Sequence, residues 1–328
     1  MPESSTTKAA STSSLVTAPF LILLSPPRSF SSVVSTMIGQ HPELYGFPEL
    51  HLFIGDTVQE MLDREYRAGN HFGPSGLLRT IAQLEFGHQT RATIAHAIAW
   101  LNERKLWSTR DLMEHLRMRV APRIGIEKSP ITALRPLDLE RTWVFYPKAY
   151  FLHLTRHPVS TSRSMDLFLQ QRSRSDKQRP FNNLLSWYRF HHNILSFTRS
   201  LPPGQSMMVK GEDILSDPDR YLAQIAEWLG VRTDDAAIAA MKHPEYSPYA
   251  YYGPTPANGG NDSNFMRNPV FRPGRVKEPS LKDFLAREAI EWISPQERES
   301  LATAGYALAE SSALTQDVTA LAHRLGYH

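Results

Sequence analysis

Five apolar residues, Phe20 to Leu24, run straight into Ser25-Pro26-Pro27-Arg28-Ser29-Phe30-Ser31-Ser32. A guanidinium, the hydroxyls of Ser29, Ser31 and Ser32, and the unpaired N–H groups of an emerging helix suit an anion, by geometry and by dipole. The proline pair stiffens the approach. The GxxxxGK[ST] spacing is missing, which argues against an ATP-hydrolysing loop. A plain strand–turn–helix connection with serine caps is the other reading of the same residues.

A second arginine, Arg156, closes another apolar run, AYFLHL at 149–154, and Ser164 follows eight residues later. With a helix starting near Pro158, Ser164 lies about two turns in. An arginine and a hydroxyl so placed could grip one more phosphate; taken singly they also read as a surface arginine and a helix serine. Together the two sites ask for one ligand with two separated phosphate groups.

These groups need a scaffold. FLILL reads as a buried strand of a parallel sheet, and residues 31–40 as a helix with Val33, Val34, Met37 and Ile38 on one side. Residues 56–120 carry apolar residues at helical spacing throughout, with Ser108 and Asp111 resembling a capping box. Residues 123–127 and 149–154 read as strands, 159–172 and 183–199 as helices, and 207–215 as a strand with a turn. Asp217-Pro218 opens a helix closed by Gly230, and the tail from 281 to 328 is helical again. Strands alternating with helices predict an α/β fold with a central parallel sheet. Ligands then bind beyond the carboxyl ends of the strands, where both arginines stand. Residues 243–279, dense in Pro, Gly, Asn and Tyr, form a long aperiodic loop of the kind that is functional or disordered.

The bulk numbers fit a globular enzyme-sized chain. It has 328 residues, 41% of them hydrophobic and 21% charged, with a formal net charge of +3. That suits an anionic ligand and is too weak a basic balance to predict nucleic-acid binding. With no cysteine, thiol and disulfide chemistry are out, and a cytoplasmic location is compatible. No apolar run nears the roughly 18 residues of a membrane span. Residues 1–18, rich in Ser and Thr, read as a disordered tail rather than a signal peptide, leaving 19–328 as one expected domain.

The motifs resemble those of sulfotransferases that use 3′-phosphoadenosine 5′-phosphosulfate (PAPS). PPRSFSS is similar to their 5′-phosphosulfate loop, PRSG[ST][ST], and Arg156 with Ser164 to their 3′-phosphate motif. EKSP at 127–130 resembles [DE]K[ST]P, and VKGEDIL at 209–215 a strand end of R-x-E-D-L type. PEL at 48–50, GNDSNFMRNP at 260–269 and RDLMEHLRMRVAPRIGIEKSP at 110–130 look like bacterial sulfotransferases related to domains of polyketide and olefin synthases. Two positions depart from the pattern. Phe30 stands where the family usually has Gly, a costly exchange if the position needs positive φ or close backbone approach, and Gly211 where many relatives have Tyr.

The resemblance implies a P-loop sulfotransferase-like fold with 56–120 as a large helical insert on the acceptor side and 243–279 as a lid-like loop. It implies PAPS as donor, 3′-phosphoadenosine 5′-phosphate (PAP) as product and no metal. The acceptor would be a hydroxyl of a small molecule or of an acyl chain on a carrier protein, in secondary metabolism. Arg28, Ser29, Phe30, Ser31, Ser32, Arg156 and Ser164 would hold the nucleotide, joined by Arg272 and Arg275 from the long loop. Arg28 and Lys128 would meet the charge that develops on the bridging oxygen. Glu49 matches the catalytic glutamate of protein-tyrosine sulfotransferases, and His51 is its rival as base, with an intrinsic pKa better suited to the work. Tyr246, Tyr249, Tyr251 and Tyr252 would wall the acceptor or anchor the loop. Trp187 lies near the adenine or in the core. A kinase-like phosphotransferase and a non-catalytic nucleotide-binding protein of the same fold are the competing readings.

Overall fold

The computed structural model describes residues 19–71, 73–172, 183–272, 274, 276–281 and 311–328. The tail expected at 1–18 lies outside the described residues. Five strands form one sheet: β1 (Leu21–Leu24), β2 (Leu44–Gly46), β3 (Ile124–Glu127), β4 (Tyr150–Thr155) and β5 (Ser206–Lys210). Their order is β2-β3-β1-β4-β5, and every pairing is parallel. This is the central parallel sheet flanked by helices that the strand–helix alternation predicts.

The run FLILL is apolar throughout because both faces of β1 are covered. Phe20, Ile22 and Leu24 enter one core, with Leu77, Leu78 and Ile81 of α3 (Ser75–Phe86) and Leu112, Met113 and Leu116 of α5 (Thr109–Val120). Leu21 and Leu23 enter the other, with Val34, Met37 and Ile38 of α1 (Ser31–Ile38). The helical insert also holds α2 (Val58–Arg67) and α4 (Arg91–Asn102). Ser108 caps α5 by accepting from the Asp111 N–H, half of the capping box expected there. The full reciprocal box belongs to Thr57 and Glu60 at the start of α2, and Thr57 bridges to Ser108, so the two helix starts are tied together.

After β3 come α6 (Pro136–Phe145), then β4, α7 (Pro158–Arg172) and α8 (Asn183–Thr198). The run expected as strand and turn at 207–215 divides into β5 and the short α9 (Gly211–Ser216). α10 (Pro218–Leu229) ends at Gly230 in the left-handed conformation (φ 71), the predicted glycine stop, and α11 (Asp235–Ala240) follows. The long loop is built rather than irregular: it holds a 3-10 turn at Pro244–Tyr246 and α12 (Ser263–Arg267). The last described helix, α13 (Ser311–Arg324), packs on α7 and α8 through Val318, Leu321 and Leu325 against Val159, Leu184 and Trp187. The chain beyond it reaches the end of β4, where the Tyr327 hydroxyl meets Thr155 Oγ1 at 2.8 Å and Glu212 Oε2 at 3.2 Å.

The strand order fixes where a ligand goes. The chain leaves β1 toward β2 at one edge and leaves β4 toward β5 at the other. β1 and β4 are neighbours, so the crevice of an open parallel sheet opens at their carboxyl ends. The two arginine motifs follow these two strands.

Candidate active site

Two backbone positions shape the loop after β1. Arg28 (φ 65) and Phe30 (φ 62) both adopt the left-handed conformation, and Phe30 is the residue that opens α1. Non-glycine residues hold that conformation at a cost of about 1–2 kcal/mol each, so surrounding contacts must impose it. The positive φ required of Phe30's position is present. The ring has turned out of the loop toward the end of β5. A Cβ on Gly211 would stand 2.7 Å from Phe30 Cδ2.

The two arginine motifs touch. Arg156 donates to the Arg28 carbonyl at 2.5 Å, and Arg28 Nε donates to Ser164 Oγ at 3.1 Å. The Arg156 guanidinium lies 4.0 Å from the centroid of the Phe30 ring. Burial lowers the Arg156 pKa to about 10 against the raising influence of Glu212. Trp187 is buried in the core and donates its indole N–H to the Arg156 carbonyl at 2.9 Å. It anchors the arginine's backbone.

Arg28 does not wait for its ligand alone. Its guanidinium pairs with the Asp262 carboxylate, from the residue that caps α12. The Asp262 N–H donates to Ser32 Oγ at 2.8 Å. An acidic side chain from the long loop thus sits where the sequence predicts an anion. Two buried polar atoms nearby, Ser29 Oγ and Arg156 Nε, lack a hydrogen-bond partner. Buried polar groups are rarely left so. Ser31 is buried on the first turn of the same helix.

The second half of the site centres on Lys128. It follows β3 and is completely buried. Its ammonium donates to Glu49 Oε1 at 2.7 Å, Ser32 Oγ at 3.1 Å and Asn261 Oδ1 at 3.1 Å, so all three N–H bonds have an acceptor. Its ion-pair partner is thus Glu49, 79 residues away in the chain.

Glu49 faces His51 with its other oxygen, Oε2 to Nε2 at 3.5 Å. His51 is left-handed (φ 57), and its ring faces back toward Glu49. Its Nδ1 meets Glu65 Oε1 at 2.8 Å, and its N–H donates to Ser129 Oγ at 3.0 Å. Glu65 lies buried on α2 and also accepts from Asn70 Nδ2.

These contacts set the charge states. Burial opposes the Glu49 carboxylate, but the Lys128 ammonium and His51 outweigh it and hold its pKa at about 2. Burial likewise opposes a charged His51, but carboxylates on both sides raise it to about 10. Glu127 is pushed up by burial to about 7, eased by a hydrogen bond from Ser129.

The structure brings together Arg28, Ser29, Phe30, Ser31, Ser32, Glu49, His51, Lys128, Arg156 and Ser164. Arg272 stands exposed on the long loop, and Arg275 lies outside the described residues. The tyrosines divide. Tyr249 is buried, its hydroxyl 2.8 Å from that of Tyr45, whereas Tyr246, Tyr251 and Tyr252 are exposed. Tyr249 anchors the loop to β2, and the Tyr252 hydroxyl donates to the Ser263 carbonyl within the loop at 3.0 Å.

Sequence reasoning missed Glu65, Asn261 and Asp262. Asp262-Ser263-Asn264 carries a helix-cap signature, which finds the start of α12 but not the reach to Arg28. Among the described residues, no group of His, Asp and Glu could hold a metal ion, and no helix is long and apolar enough to cross a membrane.

Residues 19–235 match the model of a family described as the sulfotransferase family. Two solved structures share the fold over nearly the whole chain. One is a sulfotransferase domain from the curacin biosynthetic pathway, at 22% identity and TM-score 0.68, covering 94% of this chain and 98% of that one. The other is the sulfotransferase domain of the olefin synthase of Synechococcus PCC 7002, at 25% identity and TM-score 0.66, covering 94% and 95%. No curated protein matches the sequence.

Proposed function

The chain belongs to the sulfotransferase family, and from that premise we propose that it moves a sulfuryl group from PAPS to a hydroxyl. The acceptor is a small molecule or an acyl chain carried on a protein, and a sulfate ester and PAP are the products. The observation that carries this reading is the crevice itself. A cationic loop at a helix start, already matched by an internal carboxylate, lies one side chain away from a buried Lys128–Glu49–His51–Glu65 chain.

The residues present fit the donor. Asp262 acts as a stand-in anion on Arg28, and the unpartnered Ser29 Oγ and Arg156 Nε are polar atoms that a phosphorylated nucleotide can satisfy. Arg28 and the α1 N-terminus would hold the phosphosulfate end, Arg156 and Ser164 the 3′-phosphate. When bound, PAPS supplies a sulfur that the acceptor oxygen attacks as its bond to the nucleotide oxygen breaks.

Lys128 holds a positive charge beside Ser32, where it can meet negative charge growing on the departing oxygen. Glu49, ionised and partly exposed, takes the acceptor proton. His51 is the weaker candidate for base, because a histidine held charged by two carboxylates has no lone pair to offer. It orients Glu49, and Glu65 orients it. As Lys128 turns toward the developing charge, Glu49 loses its strongest counter-charge and becomes more basic. The long loop, bound to the site through Asn261 and Asp262, shields the crevice from water. Both similar structures come from biosynthetic assemblies by their names, which supports an acceptor within secondary metabolism.

A thermal-shift titration with PAP, against ATP plus Mg²⁺, tests the donor. Ligand at 100 times its dissociation constant stabilises by roughly 2.7 kcal/mol, a shift of several degrees. The PAP shift should vanish in Arg156→Ala. A shift with ATP alone would favour the kinase-like reading, and PAP binding without turnover against any hydroxyl acceptor would favour a non-catalytic protein.

A further inference from the structure

The two departures from the family pattern are one device. Gly211 has no left-handed backbone that would demand glycine. What excludes a side chain there is the neighbour: an added Cβ would meet Phe30 Cδ2 at 2.7 Å and Phe30 Cβ at 3.4 Å, with the Thr155 carbonyl at 3.3 Å. The ring occupies the space that a side chain at position 211 would fill. The Arg156 guanidinium lies over the same ring, 4.0 Å from its centroid. Arg156 makes one hydrogen bond through Nη1, to the Arg28 carbonyl, while its Nε is buried and unpartnered. The direction of that Nε therefore depends on the surface beneath the guanidinium, and that surface is Phe30. Phe30 holds a strained left-handed backbone and has no side-chain cap to offer α1, so capping does not explain the residue.

We propose that Phe30, lodged over Gly211, is a positioning residue that orients Arg156 toward the 3′-phosphate and so sets the preference for a 3′-phosphorylated nucleotide. The inference rests on the PAPS reading and adds to it a residue pair that selects the donor. The ring acts through a face-on contact with a cation, which an aliphatic side chain of similar bulk does not reproduce.

The test is the ratio of two dissociation constants, for PAP and for adenosine 5′-phosphate, measured calorimetrically. Phe30→Leu should weaken PAP about tenfold and leave adenosine 5′-phosphate within about twofold, whereas Phe30→Tyr should restore the wild-type ratio. Gly211→Ala should disturb the ring and lower the same ratio, and Gly211→Ala added to Phe30→Gly should cost less than it does alone, because only the Thr155 carbonyl, 3.3 Å away, is left to meet the new Cβ. An equal loss for both nucleotides in Phe30→Leu, or additive losses in the double variant, would overturn the proposal while leaving the donor reading in place. A wild-type protein that binds PAP no more tightly than adenosine 5′-phosphate would defeat both.

Discussion

The Lys128 side chain lies in a position without water contact, which is tolerable only because three acceptors surround its nitrogen. The same economy governs His51. Its pKa, raised from 6.5 to about 10, makes a prediction about stability. A group bound more tightly to its proton in the folded state contributes fully below its unfolded value and loses that contribution as pH rises through the folded one. Stability should therefore decline from about pH 6.5 toward pH 10. His51→Asn should be less stable at pH 6 and should flatten that alkaline slope in denaturant melts. A slope identical to wild type would show that His51 is neutral in the folded protein. Arg28 and Arg156 were legible in the sequence because each follows an apolar strand, and Lys128 through the resemblance of EKSP to [DE]K[ST]P. Glu65 was not, because nothing in helical spacing says which carboxylate of α2 turns inward.

At the scale of elements, the site depends on three backbone segments that cross with no room for side chains. The Glu49 N–H donates to the Gly260 carbonyl at 2.8 Å, and Gly76, in the first turn of α3, fits beneath both. A Cβ at Gly76 would lie 2.2 Å from the Glu49 carbonyl oxygen. Gly76→Ala should therefore displace Glu49 and lower turnover by roughly a hundredfold, the scale on which misplacement of about 1 Å acts. Gly87→Ala, at the other end of α3 with open space around it, strains only a positive φ of 80°. It should cost about 1 kcal/mol of stability with activity kept. Equal turnover in the two variants would separate Gly76 from the chemistry. The sequence marked β1, β4, the glycine stop at 230 and the Ser108 cap, since each is a local signal. The crossing of segments 49, 76 and 260 is tertiary and leaves no periodicity to read.

At the scale of the whole molecule, the chain's last described residues close the crevice on the side of Arg156. Tyr327 is buried, its hydroxyl bridges Thr155 of β4 and Glu212 of α9, and its ring packs on His157. Lys210 binds the neighbouring Gly326 carbonyl at 2.5 Å. Tyr327→Phe should cost about 1–3 kcal/mol, the penalty for leaving buried partners unsatisfied. It should weaken PAP more than adenosine 5′-phosphate, since the Glu212 charge acts on Arg156. Urea midpoints and the two affinities check this, and an unchanged midpoint would mean that the hydroxyl contributes nothing.

The strand order has a last consequence, for the chain as it is made. β1 is synthesised first and ends in the middle of the sheet, where Leu21 pairs with both Ile126 and Tyr150. Neither neighbour exists until most of the helical insert has left the ribosome. Such non-local parallel pairing is slow and exposes apolar segments in the meantime. A nascent chain stalled before Ile124 would carry FLILL with no strand on either side. It would be a client for chaperones, holding the sequence of the loop after β1 but none of the geometry that gives it meaning.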